Sequence, residues 1–231
     1  MLIREGEERT FDTDIRLAAL LSGVAGAINA AAFQATGLFS ANMTGNLSSL
    51  SDHLGLGQVK QAALFTALVL VFIVGAFSSG LLIEAGRQRG VRAIYAYSIS
   101  FEAVMLIALG AADLAWPSVL AGGGLILGMS FVMGLQNAAT TRISNARVRT
   151  THVSGMATDI GLGLAAMVTA APDRESAVAR LRLYLSTIIA FLAGGVAGVA
   201  LYVVSGGYVF VVAGLVLLAI AMPEVRRARR L

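Results

Sequence analysis

Two short polar stretches interrupt an otherwise apolar chain. Ser40-Ala41-Asn42-Met43-Thr44-Gly45-Asn46 lies between long apolar segments in the first half, and Thr150-Thr151-His152-Val153-Ser154-Gly155 holds the matching place in the second. Ser, Thr and Asn open helices well, because their side-chain oxygens accept a first-turn backbone N–H. The opening turn also presents unused N–H groups and the positive end of the helix dipole, a combination that suits an anion or a polar solute. Asn42, Thr44, Gly45 and Asn46 in the first stretch and Ser154 and Gly155 in the second are therefore candidate solute-binding residues. Asn29, Gln136 and Asn137, near the ends of apolar segments, are candidates to line the same cavity. The structural alternative is that the first group only caps two short helices. For the amides it is an interhelical hydrogen bond worth about 1 kcal/mol.

Glu102 is the sharpest ionisable residue, standing alone near the middle of an apolar segment. An ionised carboxylate costs several kcal/mol in lipid, so it is expected to be protonated, paired or in contact with water. A proton-coupling role and a neutral acid bonded to a neighbouring helix both satisfy that. His152 and Asp159, seven positions apart, fall on one helix face if the helix reaches that far. The two could relay a proton with Glu102, but two such ligands are too few for a metal site, so no metal and no cofactor is expected. The sequence has no phosphate-binding Gly-Lys-Ser/Thr loop, serine-nucleophile elbow or paired-histidine zinc motif, which excludes ATP-driven transport by this chain alone.

The elements that position these residues follow from composition. Of 231 residues, 57% are hydrophobic and 13% charged, and the mean hydropathy of +0.80 belongs to an integral membrane protein. The chain has no cysteine, which removes disulfides and thiolate chemistry. The net charge of +4 sits on arginines in the gaps between apolar runs, a topology signal and not a nucleic-acid footprint. The acid-rich head before residue 17 does not resemble a secretory signal, and no cleavage is expected.

Taken in order, the spans expected by length run from residue 17 to about 33, 62 to 83, 93 to 112 and 114 to 141, with two more within 183 to 223 separated by Ser205-Gly206-Gly207. Between the first two spans a short helix is expected near the first polar stretch, with Gly57 as its stop. A second short helix, about 154 to 170, is expected to close at Pro172. The clustered glycines at 122–124 and Gly194, Gly195 and Gly198 suggest close helix packing. Tyr95, Tyr97 and Trp116 suggest interfacial anchors. Six spans with both termini cytoplasmic place every arginine on the cytoplasmic side, whereas eight spans would put Arg87, Arg89 and Arg92 outside, against the positive-inside bias.

An internal repeat is also expected. Gly26-Ala27-Ile28-Asn29-Ala30-Ala31 matches Gly134-Leu135-Gln136-Asn137-Ala138-Ala139, Thr44-Gly45 matches Ser154-Gly155, and Phe72-Ile73-Val74-Gly75 matches Phe191-Leu192-Ala193-Gly194. Each half reads as span, short helix, span, span. An odd number of crossings per half inverts the second, so the expected fold is an all-α membrane protein of six transmembrane helices plus two short, partly inserted helices, arranged as two inverted repeats of three spans each. It forms a single domain over 1–231, with repeats at about 15–112 and 114–223 and cytoplasmic tails at 1–14 and 224–231. Half-helices that meet at the bilayer midplane are the plan of many secondary transporters.

The Ala41-Asn42-Met43-Thr44-Gly45-Asn46 and Gly134-Leu135-Gln136-Asn137-Ala138 stretches, with the later Ser154-Gly155 element, resemble the YoaK-like bacterial membrane proteins, also called the domain of unknown function 1275. The resemblance covers about residues 15 to 222. It implies a membrane location and no reaction. In that family Thr-Gly is expected where this chain has Ser154-Gly155, a change that keeps the hydroxyl.

The expected function is a secondary transporter or channel-like permease of the bacterial inner (plasma) membrane, for a small polar or anionic solute held between two half-helix N-termini. Its partners would be the lipid bilayer and that solute, with no nucleic acid, and a homo-oligomer is left open. A membrane-embedded enzyme using His152, Asp159 and Glu102 and a non-transporting scaffold are the alternatives from other classes.

Overall fold

The computed structural model describes residues 1–3, 5–6, 9–116, 123–169 and 174–228. Among them every regular element is an α-helix: α1 Phe11–Thr36, α2 Met43–Gly55, α3 Val59–Gln88, α4 Ile94–Ala115, α5 Gly124–Ile143, α6 Val153–Val168, α7 Arg174–Ser205 and α8 Tyr208–Ala228. Helices α1, α3, α4, α7 and α8 are long and apolar enough to cross a membrane, and the chain is a multi-pass membrane protein. α5 is not among these five. Its 20 residues would rise about 30 Å, but Gln136, Asn137, Thr140, Thr141 and Arg142 lower its apolar content.

Local chemistry sets the helix ends. Thr10 caps α1, its hydroxyl accepting the Thr13 N–H at 3.3 Å, and Asp12 and Asp14 sit at the positive end of the dipole. The helix stops at Gly37, whose φ of 74° is a left-handed conformation that glycine adopts at little cost. α2 is capped by Asn42 and ends two residues before Gly57. The spans outrun the expected ones at several ends. α1 begins at Phe11, six residues before the first expected span, and α3 takes in Lys60, Glu84 and Arg87. α7 starts at Arg174, so Arg180 and Arg182 belong to it and do not lead out of α6. Long arginine stems can lie along apolar helix surface while their heads reach water, so charge alone does not end a helix. The expected fourth span is corrected at its start: α4 continues to Ala115 and α5 begins only at Gly124. Gly122, Pro117 and Pro172 lie outside the described residues, whereas Pro223 is inside α8.

Three pairings carry the bundle: α1 with α7, α3 with α5, and α4 with α8. α2 packs on α3 and α6 packs on α7. The first two pairings are close crossings. A Cβ on Gly26 would overlap the Phe191 carbonyl oxygen, and one on Gly134 would overlap that of Phe72. Gly194 meets the carbonyl of Gly23, and Gly75 meets that of Phe131. The residues aligned as repeats, Gly26 with Gly134, Phe72 with Phe191 and Gly75 with Gly194, thus make like-for-like backbone contacts. Without a hydrophobic drive between helices in lipid, such small-residue approaches supply the dispersion contact that holds spans together. The outer faces of α3 and α7, with Leu70, Phe77, Leu192 and Val196 exposed, suit contact with lipid tails.

Ion pairs gather five chain segments at one end of the bundle. The Met1 amino group meets Glu224 at 2.9 Å, Arg142 meets Glu84 at 2.9 Å, and Arg87 meets Glu5 at 3.5 Å. The fully buried Asp14 carboxylate accepts from Arg9 at 2.6 Å and from Arg147 at 2.8 Å. Tyr95, expected at an interface, is instead buried and donates to Glu5 at 2.6 Å, while Tyr97 and Trp116 are exposed.

Candidate functional site

Helices α2 and α6 open into one cavity of about 720 Å3. Phe72 and Phe191 in its wall stand at mid-length of the 30-residue α3 and the 32-residue α7, so the space, a half-open cleft, lies at mid-height of the bundle. Asn42 and His152 are the N-cap residues of the two short helices, and both line it, as do Thr44 and Ser154. The glycine three positions after each cap leaves room for the cap side chain. A Cβ on Gly45 would meet the Asn42 side chain, and one on Gly155 would meet the His152 ring at 2.5 Å.

The two caps differ in chemistry. Asn42 Oδ1 accepts the Gly45 N–H at 3.1 Å. His152 makes no side-chain cap bond, which leaves the opening amides of α6 without a side-chain acceptor.

Two asparagines hold the loops that lead into these helices. Asn29 of α1 accepts the Ala41 N–H at 2.9 Å and the Ser40 hydroxyl at 3.4 Å through Oδ1. A backbone N–H can only donate, which fixes the amide orientation and leaves Nδ2 directed elsewhere. Asn29 is only 9% exposed and lines the cavity, and among the described residues its NH2 has no hydrogen-bond partner. Asn137 of α5 accepts the Thr151 hydroxyl at 2.9 Å and donates to the Met133 carbonyl at 2.8 Å. Asn29 and Asn137 thus each anchor the loop that follows their helix and also line the cavity; among the described residues neither makes the expected interhelical hydrogen bond.

The loop before α6 is the more constrained. Asn145 and Ala146 have φ of 51° and 63°, a left-handed conformation that costs a non-glycine residue about 1 to 2 kcal/mol. Opposing it are the Ala146 N–H to the Thr141 carbonyl at 2.8 Å and the Val148 N–H to Ser144 Oγ at 2.9 Å. Arg147 ties the same loop to Asp14 and to the Gly6 carbonyl, each at 2.8 Å.

Some lining residues carried no signal as site residues in the sequence. Arg149 was one of many arginines in gaps between spans, and Phe39, Phe72 and Phe191 were ordinary apolar residues. All four line the cavity. Phe39 stacks on Phe33 with ring centroids 4.3 Å apart. The repeat alignment of Phe72 with Phe191 was the one available clue to their pairing.

Other expected site residues lie elsewhere. Asn46 is buried without lining the cavity, and among the described residues its NH2 has no hydrogen-bond partner. Gln136 is fully buried and donates to the Leu21 carbonyl of α1 at 2.8 Å, which makes it a helix-to-helix tie. Glu102 is 0% exposed, and neither carboxylate oxygen has a hydrogen-bond partner among the described residues. It meets neither the cavity nor an ion pair. Asp159 stays outside the lining and faces Tyr184 of α7, whose surroundings also include Arg149 and Arg180. His152 alone of the three candidate coupling residues reaches the cavity. No group of three or more His, Asp or Glu side chains able to hold a metal occurs among the described residues.

No match was found among curated proteins or among solved structures. Residues 17–222 match the family described as protein of unknown function, DUF1275. That span takes in both polar stretches, both anchoring asparagines and all eight helices except the two outer ends, and the chain belongs to this family.

Proposed function

We propose that the chain is a secondary transporter or channel-like permease of the bacterial inner membrane for a small polar or anionic solute. The observation that carries this reading is the shared cavity at mid-length of α3 and α7, into which the N-termini of α2 and α6 both open. Irregular backbone at such depth is tolerated in a membrane only where protein buries it or where it lines water. A mid-height cleft lined by hydroxyls, amides and helix N-termini therefore reads as a solute site.

The same reading takes α5 as a sixth span, with its polar residues turned to the cavity and to α1, and takes α2 and α6 as half-helices inserted from opposite faces. The like-for-like crossings of α1 on α7 and α3 on α5 support two inverted repeats. The end that gathers both termini, Arg87, Arg142 and Arg147 is then cytoplasmic, in keeping with the positive-inside bias. The enzyme alternative draws less support, since His152, Asp159 and Glu102 are not brought to one place. Glu102 and Asp159, outside the cavity, are retained as candidate proton-coupling groups that act at a distance from the solute.

Counterflow of a panel of labelled carboxylates, sugars and amino alcohols into proteoliposomes tests this. Flux of at least one solute above protein-free liposomes, lost in Thr44→Trp and in Ser154→Trp while both variants remain folded, is the expected result. Glu102→Gln should retain exchange and lose dependence on a pH gradient. Absence of flux for every class in the panel would sink the transport reading.

A further inference from the structure

The two ends of the cavity are not chemically equal. On the α6 side stand Arg149, His152 and the opening turn of α6, which lacks a side-chain cap; on the α2 side stand Phe39, Met43 and an opening turn capped by Asn42. Among the described residues no aspartate or glutamate lines the space. Among the described residues Arg149, an exposed side chain, makes no ion pair and no hydrogen bond; it stands two residues after Arg147, the loop's tie to Asp14, and shares the surroundings of Tyr184 with Asp159. A guanidinium is always charged, and its planar fork of donors fits a carboxylate with two parallel bonds. The NH2 of Asn29, a residue 9% exposed, has no hydrogen-bond partner among the described residues and adds a neutral donor to the lining beside the loop before α2.

Size and the remaining wall narrow the class further. With a volume of about 720 Å3 the open cleft has room for an organic molecule. Phe39, Phe72 and Phe191 offer aromatic faces that give such a body a place to leave water.

We infer that the solute is a small organic monoanion with an apolar body, its carboxylate or sulfonate held at Arg149 beside the opening of α6 and its body lying against Phe39, Phe72 and Phe191. This rests on reading the cavity as a solute site and goes further by fixing the charge, the chemical class and the orientation. An inorganic anion would leave the aromatic wall unused, and a neutral polar solute would leave Arg149 without a carboxylate in the cavity lining.

Thermal unfolding of the purified full-length chain in a non-ionic detergent, with and without ligand probes, tests the inference without requiring flux. Benzoate and hexanoate should raise the melting temperature in a saturable way, while benzyl alcohol, benzylamine and phosphate should not. Arg149→Gln should weaken the benzoate dissociation constant by about tenfold or more, and Arg149→Lys should recover part of it. Phe39→Ala should weaken benzoate and leave acetate unchanged, which checks the orientation independently should Arg149→Gln unfold. Equal stabilisation by phosphate, equal stabilisation by benzyl alcohol, or no shift with any carboxylate would each overturn the inference. Binding of benzoate without counterflow would instead remove the transport reading and leave the anion site standing. Counterflow of neutral solutes alone would do the reverse.

Discussion

The two approaches to the cavity are built to one plan and finished differently. Before α2, a short loop turns at Gly37 and is pinned by Asn29 through one backbone N–H and one hydroxyl. Before α6, the loop carries two left-handed non-glycine residues, is tied across the bundle by Arg147 to a buried aspartate, and delivers Arg149 and His152 to the wall. Where the halves agree, at the glycine crossings, the constraint is the spacing of helices in lipid. Where they differ, the difference falls on the loop before α6 and on Arg149 and His152, which that loop brings to the cavity. Packing thus fixes what the halves share, and recognition is the natural place for them to diverge.

The crossings give the largest way to break that comparison. Gly26→Val and Gly134→Val should each lose the folded bundle in detergent, because a side chain there meets a carbonyl oxygen and backbone cannot yield as a side-chain tip can. Gly80→Ala, in α3 with open space around it, should be neutral or add up to about 1 kcal/mol. If only one of the two crossings were sensitive, the likeness of the halves would fail.

Arg147→Met comes next, with an expected loss of about 3 kcal/mol in chemical denaturation. It removes one partner of the buried Asp14 and leaves two left-handed residues less well held. Among the described residues the loop before α2 has no equivalent ion pair to cut. Asn29→Ala should cost about 1 to 3 kcal/mol by orphaning the Ala41 N–H. Asn137→Ala should cost less, because the Thr151 hydroxyl can turn to another acceptor. The smallest contrast is at the caps. Gly45→Ala should displace the Asn42 side chain and cost about 1 kcal/mol, which the same change at Gly155 should not, because His152 has no cap bond to lose.

The sequence showed that the chain is helical and membrane-embedded, where its polar stretches lie, and, at Gly194 and Gly198, two glycines that approach another helix, whereas Gly26, Gly75 and Gly134 entered only through the repeat alignment. Those features follow from composition and from local chemistry that acts within a few residues. Helix ends were less legible, because arginines at 174, 180 and 182 read as a linker when they ride on α7. Polarity marked Asn46 and Gln136 as worth explaining but could not say which way they point, and one is buried away from the cavity while the other ties α5 to α1. Arg149 was hidden for the opposite reason. Its position in a basic gap already had a sufficient explanation in topology, and only the fold brings it to the cavity wall.

Cysteine labelling from either side of the membrane is the most direct test, and the native chain contains no cysteine to confuse it. Leu56→Cys, just past the end of α2, and Thr169→Cys, just past the end of α6, would be exposed in oriented vesicles to a thiol reagent that cannot cross the bilayer. Opposed insertion predicts that Leu56→Cys reacts only from the periplasmic side and Thr169→Cys only from the cytoplasmic side. Reaction of both from one side would contradict it.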